Sequence, residues 1–138
     1  MKKFTVLLVF LLPVMAFSQE FSESFDKIQT LAWINKNIKT SANAYNLSSL
    51  QTKCTYNENF FDKNSSATYK FDLVNINVSV VGKSVRLSCK TGDCIEYTFK
   101  SPGSTETKKL KYFDLPASGN VNDLYRALLQ LKKRVGIL

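Results

Sequence analysis

The stretch SVRLSCKTGDCIEYTF, Ser84 to Phe99, decides the class of fold. Val85, Leu87 and Cys89 alternate with Arg86 and Ser88, and Ile95, Tyr97 and Phe99 repeat the same period of two. That period belongs to strands with one face in a core, and Lys90-Thr91-Gly92-Asp93 between them predicts a four-residue hairpin loop. Upstream, Gly82-Lys83 predicts a turn. Tyr69, Phe71 and Leu73 share one face of a strand over Thr68–Leu73. The parity then changes to Val74, Ile76, Val78 and Val80, which predicts a bulge or a break near Asn75. A further strand is expected over Leu50–Tyr56, with a loop from Asn57 to Ser66. Downstream, Ser101-Pro102-Gly103-Ser104 is a turn and Thr107–Phe113 a last strand. The sum is an antiparallel meander, or a partly closed barrel, of five to seven strands.

A helical period flanks this meander on both sides. Phe25, Ile28, Leu31, Ile34 and Ile38 recur at steps of three and four, predicting a helix to about Lys39 capped by Ser22 or Ser24. Trp33 lies beside that stripe as a core anchor. Gln19 to Glu23 reads as a flexible lead, and the polar run Thr40–Ser49 as a connection. After Pro116–Gly119, Asn120 or Asn122 caps a second helix lined by Val121, Leu124, Tyr125, Leu128, Leu131 and Val135, with Gly136 placed to end it. The expected class is α+β: helix, meander, helix.

The N-terminus has the three parts of an export signal. Lys2 and Lys3 precede an uncharged run from Phe4 to Phe17, which is too short to cross a bilayer as a helix. Ala16-Phe17-Ser18 then sets small side chains where a signal peptidase needs them. Cleavage between Ser18 and Gln19 leaves residues 19–138 as one α+β domain that is periplasmic or extracellular, with no membrane span.

Of 19 lysines and arginines against 11 acids, the leader removes two, so the mature chain carries an excess of six positive charges. That charge suits an anionic envelope component or an acidic protein; nucleic acid is not expected outside the cell. The chain has no histidine, which excludes Ser/His/Asp, Cys/His and two-histidine metal chemistry. An enzyme would have to use Cys54 or a carboxylate such as Asp72 in a concave pocket. No catalytic residue, cofactor or metal ligand set is assigned.

Three cysteines, Cys54, Cys89 and Cys94, enter an oxidising compartment. Cys89 with Cys94 across the loop is the favoured pair, while Cys54 with either would close a longer ring; the sequence alone leaves these open. C-x4-C with one distant partner is a weak zinc pattern. Two basic clusters stand out as a candidate anion-binding face: Lys108, Lys109 and Lys111 on the last strand, and Lys132, Lys133 and Arg134 on the last helix. They merge if that helix crosses the end of the sheet. The alternative use of the fold is a small-molecule or lipid carrier with an apolar cavity.

The segments LAWINKNI, VRLSCKTGDCI and LYRALLQLKKRV together resemble small secreted Bacteroidota proteins of unknown function. The resemblance implies a helix–meander–helix layout, including a barrel closed by the C-terminal helix as in pleckstrin-homology-like folds. It implies no activity.

Overall fold

The computed structural model describes residues 20–136, so the expected leader and its Ser18–Gln19 junction lie outside the described residues. Helix α1 spans Lys27–Lys36, strands β1 to β5 span Ala44–Leu50, Lys53–Phe60, Ser65–Asp72, Ile76–Val81 and Ser84–Cys89, and β6 to β8 span Ile95–Ser101, Ser104–Leu110 and Tyr112–Pro116. Helix α2, Val121–Val135, follows. The helix–antiparallel meander–helix order is as expected, with eight strands rather than five to seven. The strands form two sheets, ordered β1-β2-β3-β6-β7 and β4-β5-β8, and do not close into a barrel.

The hairpin expected over Ser84–Phe99 is therefore not a hairpin. Strand β5 pairs with β4 and β8, and β6 pairs with β3 and β7. The loop Lys90–Cys94 carries the chain from one sheet to the other. The disulfide Cys89–Cys94, with Cα atoms 5.7 Å apart, spans that crossing. Alternation within a strand reports which face is buried; it does not report the neighbour.

Two other crossings lie at the same end of the molecule. The parity change after Leu73 is a break: a 3-10 turn over Leu73–Asn75, begun by Asp72 accepting from Val74 N, passes from β3 to β4. The expected last strand Thr107–Phe113 is two strands, because the chain leaves the first sheet at Lys111 and enters the second at Tyr112. Lys111 O still accepts from Cys89 N, so the ladder of the second sheet starts at the crossing itself.

The expected connection Thr40–Ser49 instead enters edge strand β1 at Ala44, and the one fully buried side chain of that strand is Leu47. Most of the expected loop Asn57–Ser66 is strand as well: β2 runs to Phe60, and a short 3-10 turn leads into β3 at Ser65.

Asp26, not Ser22 or Ser24, caps α1: it accepts from Gln29 N while Gln29 Oε1 accepts from Asp26 N. This helix ends at Lys36, and Ile28 of the expected stripe is exposed, while Thr30, Trp33 and Ile34 face inward. Residues expected to form a free lead are anchored instead. Phe21 is buried, with its ring 5.4 Å from Trp33 and 5.7 Å from Phe25.

Asn120 caps α2, accepting from the N–H groups of Asn122 and Asp123. Its apolar side, Leu124, Ala127, Leu128, Leu131 and Val135, packs on α1 and on β4 and β5. Phe113 of β8 reaches the first sheet and stacks on Tyr69 at 4.4 Å, with Phe71 at 5.4 Å and Tyr56 at 6.3 Å.

Candidate functional site

Register places several residues singled out by sequence in one groove. On the outer face of the first sheet, Thr55, Lys70, Glu96 and Lys109 form a continuous row across β2, β3, β6 and β7, and Lys53 pairs with Asp72 one step further along that face. Around the strand ends the groove reaches Cys54, Phe71 and Cys94 of the other face. Its volume is about 650 Å³. Cys54, Asp72, Cys94 and Lys109 all line it, as do Lys53 and Lys70, which sequence reasoning did not select.

The charges in this groove are unevenly satisfied. Lys109 Nζ lies 3.8 Å from Glu96 Oε2. Asp72 is turned onto its own backbone, accepting from Val74 N at 3.1 Å. Among the described residues, neither Lys53 nor Lys70 makes an ion pair, and both are exposed. They sit diagonally across β2 and β3 with the Thr55 side chain on the same face. Ser49 Oγ, also at the groove, is shielded from solvent without a hydrogen-bond partner among the described residues.

The Cys54 side chain is buried. Burial pushes its thiol up to about 12, and the nearby Asp72 adds to the shift. A thiol held protonated lacks the thiolate that attacks or ligates. Among the described residues no group of three or more acidic or thiol side chains could hold a metal ion.

The two basic clusters do not form one stripe. Lys108 and Lys109 point to opposite faces of β7: Lys108 sits beside Tyr97, its Nζ 5.5 Å from the ring centre, and Lys109 beside Glu96. On α2, Lys132 Nζ donates to Ile76 O at 2.7 Å, and burial lowers its pKa, with Lys90 adding to the shift. Arg134 donates to the carbonyls of Phe25 and Glu23 at 3.2 Å. Lys111 and Lys133 are exposed. The helix cluster thus contributes two structural donors and one solvent-facing lysine, and α2 packs on α1, β4 and β5 rather than across β7.

No family model matches the chain, and no significant match was found among curated proteins or solved structures. No helix among the described residues is long and apolar enough to cross a membrane.

Proposed function

We propose that this chain is an exported, non-catalytic binding module that holds an anionic partner in the groove at the end of its five-stranded sheet. The observation that carries this reading is the pair Lys53 and Lys70: two exposed ammonium groups on one face that make no ion pair among the described residues, on either side of a threonine. An anionic envelope polysaccharide or an acidic protein segment would pair with both ammonium groups. Export is supported by Lys2, Lys3 and the uncharged run that follows them. The absence of histidine and the protonated state of Cys54 favour binding over catalysis.

The test is binding to an acidic polysaccharide such as polygalacturonate at low and at high salt. Lys53→Glu with Lys70→Glu should weaken binding about tenfold or more at low salt, while Lys133→Glu, on the far helix, should leave it unchanged. Raising the salt should weaken the wild type, because exposed charges are screened. Equal binding by wild type and the double variant would refute the reading.

A further inference from the structure

The first sheet carries a second concavity on its inner face, away from the groove. It lies between β2 and β3 on one side and residues 113–116 of β8 on the other, under the segment 39–41, and its volume is about 270 Å³. Tyr56, Tyr69 and Phe113 line it with aromatic surface, and Glu58 supplies one carboxylate. Thr40 Oγ1 donates to Glu58 Oε2, with Tyr56 beside them in the lining. Polar and charged side chains thus share the cleft with the three rings.

Glu58 is the unusual member. It is half-buried in a chain with a large excess of cations, yet among the described residues it makes no ion pair. Asp114, the other acid at the cleft, is already held by Arg86 at 2.9 and 3.1 Å. Burial raises the pKa of Tyr56, Tyr69 and Tyr97, and Glu58 adds to the rise in all three. A half-buried carboxylate among aromatic rings is matched by an organic cation, which gains both the ionic contact and the ring quadrupole.

We propose that this cleft binds the ammonium group of a small organic monocation, with Glu58 as its counter-ion and the rings of Tyr69 and Phe113 against its carbon atoms. Lys39, exposed at the mouth, opposes any cation and a dication more than a monocation. The site is distinct from the lysine groove and does not depend on it.

Choline is a suitable probe, with its neutral isostere 3,3-dimethyl-1-butanol and the dication putrescine as comparisons. The readout is the ring proton signals of Tyr69 and Phe113 in the chain as exported. Choline should shift both signals saturably, more strongly than either comparison. Glu58→Gln keeps an oxygen for Thr40 and should weaken choline binding about tenfold or more, with the ring signals of the free protein in place as proof of folding. Tyr69→Leu should weaken it as well, whereas Lys53→Glu with Lys70→Glu should not. The proposal is overturned if choline moves neither ring at up to about 50 mM, if the neutral isostere binds as well as choline, or if Glu58→Gln binds unchanged.

Discussion

Asn35 of α1 pairs with Leu47 of β1 as a neighbouring strand would: its Nδ2 donates to Leu47 O at 2.9 Å, and its Oδ1 accepts from Leu47 N at 2.7 Å. The pair occupies both outward backbone groups of Leu47 on an edge strand, where open groups invite another chain. Asn35→Leu would leave both groups shielded and unpaired. We expect a loss of about 2 kcal/mol or more, read as a lower midpoint in urea, with earlier aggregation on heating. A midpoint equal to wild type would show that water replaces the amide at no cost.

Reduction of Cys89–Cys94 should cost stability. The bridge closes a ring spanning five sequence positions, for which chain entropy gives about 2 kcal/mol, or a fall in Tm of roughly 8 °C for a chain of this size. Alkylation of the unfolded, unreduced protein should mark Cys54 alone, and all three cysteines after reduction. Three marked thiols in the unreduced protein would contradict the bridge.

Stability should fall at alkaline pH. Folding raises the Cys54 thiol from 9.0 to about 12 and the Tyr69 hydroxyl from 10.0 to about 12, chiefly by burial, and raises Tyr56 also. In each case the folded state holds the proton more tightly. The stabilisation is therefore complete below the unfolded values and is lost as pH rises from about 9 toward 12. Cys54→Ala removes one of these groups, so its loss of stability over that range should be shallower than in wild type. Identical slopes would place the alkaline sensitivity elsewhere.

Arg134 and Gln130 hold the segment before α1. Gln130 Nε2 donates to Glu23 O at 2.7 Å and to Phe25 O at 3.2 Å, beside the bonds from Arg134. Arg134→Ala should destabilise by about 1–3 kcal/mol and speed amide exchange before Asp26, while binding to an acidic polysaccharide stays as in wild type. Weakened binding with unchanged stability would return Arg134 to the anion site.

Local chemistry in this chain was legible where one segment determines it. The break after Leu73, the Asn120 cap and the inward face of α2 follow from residues close together in sequence. The cap of α1 was equally local: Asp26 with Gln29 three positions on is a capping box, and the nearby serines drew attention from it. Strand partners were another matter. Val85 and Ile95 look alike whether or not they share a sheet, because side-chain parity does not carry the pairing. The two sites suffer the same limit. Lys53, Lys70 and Lys109 come from three strands, and Glu58 meets Thr40 and Tyr69 only once the register is set.

The position of the disulfide bears on the order in which the chain folds. Pairing β3 with β6 requires the whole β4–β5 hairpin to be looped out first, and ordering so long a stretch before any contact forms slows folding. Cys89 and Cys94 are close in sequence, so their bond can form in an oxidising compartment before either sheet exists. Once made, it holds the start of β6 near the end of β5 and shortens the search that β6 must complete. Refolding of the oxidised chain should thus be faster than that of the reduced chain, making the bridge a guide to assembly as well as a brace.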